Sequence, residues 1–416
     1  MATSATDVDE VLSELLTPEG RRDLAGVFRR LHELGELHRS QFLGRFVTSY
    51  RNVDAVLRDP RVVRRRPARQ DVLPAASEHS SRRLINATFM VQDPPDHTRI
   101  RRLVSKAFTP RAVVGLQPTI ERILAERLDE IDARGDIDLM SDLAFPFPVA
   151  VIGHLIGVPE ADQPPFQKLV RDLTDALDLA VSDADLGHAD AAADTIVEYF
   201  TGLVAERRRR PADDLVSALI AVRDDGRSVA EGGDGSDRLT ETELLATLVL
   251  LFLAGFETTT NLIGNGTYAL LNHPAELDAL RRDPALLPGA VEEMLRLDTP
   301  VQVIPRLTAD DVTLPDGTVV PGDRHLLVLL GAANHDPRVF TDPGVLKLNR
   351  AEAATLSFGS GIHYCLGAGL ARLEARLVFG ALLHRFPSIE LAETPQWRDG
   401  LTVRGLNRLR VTLRRA

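Results

Sequence analysis

The chain has 416 residues, 44% of them apolar and 26% charged. That composition excludes a disordered or fibrous protein and leaves one large globular domain or two moderate ones. Aspartate and glutamate outnumber lysine and arginine by 60 to 49, and the net charge of −11 argues against non-specific binding to nucleic acid or an anionic membrane. A single cysteine excludes an intrachain disulfide and fits a reducing, cytoplasmic setting. Met1 to Glu10 lacks the basic start and apolar run of a signal peptide. The most apolar run, Leu244 to Phe256, is 13 residues long and is followed at once by Glu257. It falls short of the roughly 20 residues that span a bilayer and is predicted to be a buried core helix.

Helical periodicity dominates. An amphipathic helix is predicted over Leu24 to Leu34, then a short strand over Phe46 to Tyr50 and a helix over Asn52 to Arg58 that Asp59-Pro60 ends. Arg69 to Asp93 lacks periodicity and reads as a long loop, a kind of segment that is usually functional. Asp93-Pro94-Pro95-Asp96 reads as a helix start with Asp93 as cap. Further helices are predicted over Pro118 to Ala133, Val149 to Ile156, Pro164 to Val181, Ala189 to Arg209 and Asp213 to Asp224. The Gly- and Asp-rich stretch from Asp224 to Arg238 reads as a flexible exposed loop.

Thr240-Glu241-Thr242-Glu243 is a capping box opening a helix that reaches Leu271, on the order of 45 Å long. Beta structure returns late. Val312 to Leu314 and Thr318 to Val320 flank the turn signal Asp316-Gly317, and Leu326 to Leu330 and Leu406 to Leu413 read as further strands. There is no internal repeat and no clean linker. The expected architecture is a mainly helical single domain over residues 1–416 with a smaller β-containing lobe, its β-rich parts near 40–60, 300–335 and 388–416.

The only cysteine lies in Phe358-Gly359-Ser360-Gly361-Ile362-His363-Tyr364-Cys365-Leu366-Gly367-Ala368-Gly369. The glycines let the backbone approach a partner closely. Cys365 precedes an amphipathic helix predicted over Leu366 to Phe386, and a helix N-terminus favours the thiolate. A lone thiolate in such a loop can be a nucleophile, with His363 as base, or a single-cysteine metal ligand; the third reading, a buried and inert cysteine near a turn, leaves the glycines and His363 without a reason. The order Phe358, Gly359, Gly361, His363, Cys365, Gly367 resembles the F-G-x-G-x-H-x-C-x-G signature of the cytochrome P450 family, the haem-thiolate monooxygenases, in its soluble bacterial branch. The resemblance implies a mainly helical fold and makes Cys365 the axial ligand of haem b (iron protoporphyrin IX), with Ala254, Phe358, Gly359 and Gly367 beside it.

Ala254-Gly255-Phe256-Glu257-Thr258-Thr259 is odd for a core helix. Interior glycine costs about 1 kcal/mol against alanine, a carboxylate in an apolar stretch costs more, and a Thr258 hydroxyl bonding back to the Ala254 carbonyl loosens a helix. By resemblance, Glu257 and Thr258 are the acid–alcohol pair that delivers protons for dioxygen cleavage; many relatives carry Asp in place of Glu257. Glu293-Met294-Leu295-Arg296 fits the family's E-x-x-R ion pair, which serves folding rather than catalysis. In relatives the positions of His97, Arg101, Arg306 and His363 hold the haem propionates.

Arg99, Arg102 and Lys106 fall opposite His97 and Arg101 on one helix, as a docking face for an acidic electron donor or as a merely solvated face. The clusters Arg61 to Arg69 and Arg207 to Arg210 are expected to be solvated. Substrate contacts are expected from Ile85 to Val91, Leu251 to Thr259, Val301 to Ile304 and Leu401-Thr402, with Asn86, Thr88 and Gln302 as polar anchors.

The expected function is insertion of one oxygen atom from O2 into a hydrophobic small molecule, by hydroxylation or epoxidation, in tailoring of a polyketide- or macrolide-like secondary metabolite. Only 30 residues follow Phe386, and one cysteine cannot hold an iron–sulfur cluster, so electrons are expected from a separate ferredoxin and an NAD(P)H-dependent ferredoxin reductase. A peroxide-dependent or oxidative-coupling haem enzyme and a non-catalytic haem sensor are the alternatives; Glu257 and Thr258 argue for dioxygen. A cytoplasmic monomer is expected, with no nucleic-acid or membrane partner.

Overall fold

The computed structural model describes residues 5–15, 17–41, 44–65, 78–179, 181–182, 185–224 and 238–414. The chain opens on helices α1 (Ala5–Glu14), α2 (Pro18–Arg22) and α3 (Leu24–Leu34). α3 has the predicted bounds because Asp23 caps its start, accepting from the Gly26 amide at 3.0 Å, and Gly35 ends it. Next come β1 (Leu37–Ser40), β2 (Gly44–Val47), α4 (Tyr50–Arg58) and β3 (Val62–Val63). The strand predicted as far as Tyr50 stops at Val47, since the Tyr50 amide donates to Asp336 at 2.9 Å and already starts α4.

The predicted loop over 69–93 is corrected within its described part. Ser80–Ala87 forms α5, followed by a 3-10 turn at Phe89–Val91; residues 69–77 lie outside the described residues. The helix is masked in sequence because its buried positions are Ser81 and Ile85, one of them polar. α6 (Asp96–Val104) has Pro95 and not Asp93 as its N-cap; the Asp93 carbonyl instead accepts from the His97 amide at 3.0 Å. α7 (Pro110–Asp132) starts eight residues before the predicted Pro118, which lies inside it.

β4 (Asp136–Asp138) and a π-type turn at Met140–Ala144 lead into α8 (Pro146–Ile156). α9 (Phe166–Thr174) is shorter than predicted; the Thr174 hydroxyl turns back to the Val170 carbonyl at 2.7 Å at its end. α10 (Gly187–Arg209), α11 (Leu215–Asp224) and α12 (Glu241–Leu271) follow, and residues 225–237, most of the expected flexible loop, lie outside the described residues. The capping box opens α12 as predicted: Thr240 N–H donates to Glu243 at 2.8 Å and Glu243 N–H to Thr240 Oγ1 at 3.1 Å. By length and composition α12 could cross a membrane, but 83% of its most apolar window is buried, as in a core helix.

The remaining elements are α13 (Pro274–Arg282), α14 (Leu287–Leu297), β5 (Val303–Thr308), β6 (Val312–Thr313), β7 (Val319–Val320), β8 (Arg324–Leu329), α15 (Leu330–Ala333), α16 (Ala368–Arg385), β9 (Ser388–Leu391), β10 (Gln396–Trp397), β11 (Leu406–Arg408) and β12 (Arg410–Arg414). β6 and β7 pair antiparallel around Gly317, the predicted hairpin. The terminal strand predicted over Leu406 to Leu413 is two strands in different sheets.

Two compact units divide the chain. One comprises Met1–Arg66, Arg127–Ala144 and Thr258–Ala416; the other comprises Pro67–Glu126 and Phe145–Glu257, so α7 and α12 each contribute to both. The first contains the five-stranded sheet β1-β2-β8-β5-β3, antiparallel except for β2 with β8, and the three-stranded sheet β4-β12-β9. It also ties α12 to the chain's last hairpin. Asn265 donates to the carbonyls of Asp298 and Arg404 at 3.3 Å each, and a Cβ on Gly405 would stand 1.9 Å from Asn261 Oδ1. The second unit packs α8, α9, α10 and α12 through aromatic edges, among them Phe166 with Phe252 and Phe145 with Phe256.

Candidate active site

The cysteine loop belongs to the first unit. Cys365 is exposed, and its amide donates to the Phe358 carbonyl at 2.9 Å, closing the loop on itself. Gly361–His363 form a single 3-10 turn, and α16 starts at Ala368, two residues later than predicted. The loop is stapled to α4. Gly361 has φ +69° and approaches so closely that a Cβ would lie 2.2 Å from the Leu57 carbonyl oxygen. Beside it, Ser360 donates to Asp54 at 2.7 Å. Arg372 lies 4.4 Å over the Phe358 ring, pairs with Glu292 and reaches the Tyr364 hydroxyl at 3.1 Å.

Along the middle of α12 the open positions are Ala254, exposed, and Gly255 and Thr258, half-buried; Phe256, Glu257, Thr259 and Thr260 are buried. Ala254 and Thr258 are one turn apart, so they share the open face, while Glu257 is 4% exposed and turned inward. The acid and the alcohol predicted to act together are thus neighbours in sequence with unequal exposure, Glu257 buried and Thr258 half-buried.

His97 and Arg101 lie one turn apart on α6 in the second unit, His97 2% exposed and Arg101 half-buried. Arg306, on β5 of the first unit, is 5% exposed, and His363 is half-buried in the cysteine loop. Two of these four are far more buried than ordinary surface cations.

Other expectations are corrected. Arg99 does not belong to a solvent-facing basic stripe, because Glu243, Asp96 and the Arg238 carbonyl engage it; Arg102 and Lys106 are exposed. Arg207 is not solvated either: it pairs with Asp214 at 2.5 Å and donates to the Gly157 carbonyl at 2.9 Å. Arg61 is exposed, as expected, while it bonds Asp59 and the Asp311 carbonyl, and residues 66–69 of that cluster lie outside the described residues. Thr88 Oγ1 donates to the Ile85 carbonyl at 2.7 Å and Gln302 Nε2 to the Thr299 carbonyl at 2.7 Å, while the main-chain carbonyl of Asn86 accepts from Gln92 at 2.9 Å, contacts that leave their expected role as substrate anchors open.

Glu293 and Arg296 form the predicted pair on α14, both nearly sealed from water. Sequence reasoning missed Arg350, which closes on the same carboxylate from 57 positions away with its side chain 4% exposed. No local pattern points to it.

The sequence profile of the cytochrome P450 family matches residues 27–399. The chain belongs to the cytochrome P450 family. It is 41% identical over 375 residues to cytochrome P450 107B1 of Saccharopolyspora erythraea, covering 88% of each chain. It is 37% identical over 401 residues to the polyketide biosynthesis cytochrome P450 PksS of Bacillus subtilis, covering 93% of this chain and 95% of that one. It superposes on P450BioI, solved in complex with a hexadec-9Z-enoic acid ligated acyl carrier protein, with a TM-score of 0.86 and 34% identity over 95% of this chain and 100% of that one. As a P450 the protein is a monooxygenase whose family uses a haem-thiolate cofactor. The residues present fit such a group. The sulfur of Cys365 is exposed, and a Cβ on Gly359, Gly367 or Gly369 would meet nothing within 4 Å, so the cysteine loop leaves clear space for a flat ligand.

Proposed function

We propose that this P450 binds haem b through Cys365 and oxidises a hydrophobic, polyketide- or macrolide-like small molecule. The observation that carries the reading is the exposed thiol of Cys365, placed by the Phe358 carbonyl and the Gly361 contact just ahead of α16. A thiolate-ligated haem supplies the oxidising power for inserting one atom of dioxygen. Phe358, Gly359, Gly367 and Ala254 line the cofactor in this reading, and His97, Arg101, Arg306 and His363 bind its propionates. His97 and Arg306 are both buried, which supports a place for them beside an enclosed group rather than on the surface.

Thr258 holds a proton on the open face of α12, and Glu257 resupplies it from the buried side. Substrate touches the segments 85–91, 251–259, 301–304 and 401–402, which are rich in apolar side chains. The name of the Bacillus subtilis relative supports a polyketide. Electrons come from a ferredoxin and its NAD(P)H-dependent reductase. The passage of α7 and α12 through both units supports a single catalytic domain.

The test is the carbon-monoxide difference spectrum of the reduced protein. A haem-thiolate band is expected in the wild type and its loss in Cys365→Ser; a band that survives in that variant removes Cys365 from the iron. Titration with a panel of macrolactones, fatty acids and steroids, read by the spin-state change, then ranks substrate classes.

A further inference from the structure

One carboxylate of α10 holds the start of α5. Asp190, in the first turn of α10, accepts from Ser81 Oγ at 2.6 Å and Ser81 N–H at 2.9 Å on one oxygen, and pairs with His79 Nδ1 at 2.6 Å on the other. Its main-chain carbonyl accepts a further bond from Ser80 Oγ at 3.3 Å. The N-cap residue of α5, His79, supplies no cap hydrogen bond of its own; Asp190 performs that task from another helix. Burial pushes the Asp190 carboxyl up, but the two Ser81 hydrogen bonds and His79 outweigh it and bring it down to about 2. The group is therefore an anion throughout the neutral range.

The trio of Ser, His and Asp is not a hydrolytic triad. The Ser81 hydroxyl bonds the carboxylate rather than the imidazole, and Ser81 is 0% exposed. A fixed, charged, multiply bonded anchor at the head of a short helix has a mechanical consequence. α5 runs directly into Thr88 and the turn Phe89–Val91, and Ser81 shares its buried face with Ile85. The Asp190 anchor therefore bears on where residues 85–91 stand.

We propose that Asp190 is a positioning residue for substrate: by capping α5 from α10 it fixes the placement of Ile85, Thr88 and Phe89. This rests on the reading of residues 85–91 as substrate contacts.

The test compares full-length holoenzyme with Asp190→Ala, Asp190→Asn and Ser81→Ala. Amide hydrogen exchange reads the anchor without any turnover: Asp190→Ala should raise exchange over residues 80–91 about tenfold while α12 and α16 exchange as in the wild type. Two haem-binding azoles, followed by their visible spectra, read the consequence. 4-Phenylimidazole, large enough to touch the segment, should bind Asp190→Ala about tenfold more weakly, and imidazole within about twofold of the wild type. Asp190→Asn keeps an oxygen for Ser81 and should fall between, as should Ser81→Ala.

Unchanged exchange over 80–91 in Asp190→Ala overturns the anchor. Faster exchange with both azoles unaffected, or weakened equally, overturns the positioning role. A wild type that binds neither azole overturns the haem reading, and with it the substrate role of Asp190, whatever exchange shows.

Discussion

Arg296 grips Glu293, three residues before it, through Nε at 2.7 Å and Nη2 at 2.8 Å, and Arg350 closes on the same carboxylate at 2.9 and 3.0 Å. Arg296 also donates to the carbonyls of Asn334 and Pro343, so the cluster ties α14 to the loop that follows α15. Removing the acid leaves two buried guanidinium groups facing each other without an anion. Glu293→Gln is expected to cost about 3–5 kcal/mol in urea unfolding. A loss below about 1 kcal/mol would show that the cluster is incidental to stability.

Gly361 permits the contact that fixes the cysteine loop. Alanine there would carry φ +69° and a Cβ 2.2 Å from the Leu57 carbonyl oxygen, forcing the loop off α4. Gly361→Ala should destabilise the protein by about 1–3 kcal/mol and reduce the haem recovered per chain. Full haem content with unchanged melting would mean that the loop tolerates displacement.

Thr258 has the half-open position on α12 where a hydroxyl can serve a reaction. Thr258→Ala should leave substrate affinity within about twofold while product formed per NAD(P)H consumed falls about tenfold and hydrogen peroxide accumulates. Coupling equal to the wild type would remove this hydroxyl from proton delivery.

The pH dependence of stability has an identifiable contributor. Burial, and then the charge of Arg296, push the His335 imidazole down to about 3, while its Nδ1 contacts the Gly331 carbonyl oxygen at 2.9 Å. In the unfolded chain it titrates near 6.5. Between those values the unfolded state binds a proton that the folded state refuses. The stability is therefore full above about pH 6.5 and is lost as pH falls toward 3. His335→Gln should flatten the slope of unfolding free energy against pH in that window by up to about 1.4 kcal/mol per unit. An unaltered slope would assign the acid sensitivity elsewhere.

The readable parts of the fold are those whose signals are local. Asp23 and Gly35 bracket α3, Thr240 and Glu243 open α12, and Gly317 turns the β6–β7 hairpin, each through atoms within a few residues. The cysteine motif is local too, which is why the family was legible. What escaped depends on distant partners. α5 looks like a loop because Ser81 is buried on the strength of Asp190, which lies 109 positions away. Arg99 reads as a surface cation until Glu243 arrives from 144 positions on. Arg350 gains its role from a carboxylate on another helix. Strands of two or three residues, such as β3 and β4, are too short to show alternation.

Asn261 and Asn265 stand about one and two turns beyond Thr258 on α12 and engage the backbone that carries Arg404 and Gly405. Redesign by exchanging the C-terminal hairpin with that of a relative therefore cannot treat residues 398–408 as a separable cassette. A graft without glycine at 405 collides with Asn261, and a graft with a different turn geometry strands the amide of Asn265. The smallest transplantable piece is the hairpin together with those two asparagines.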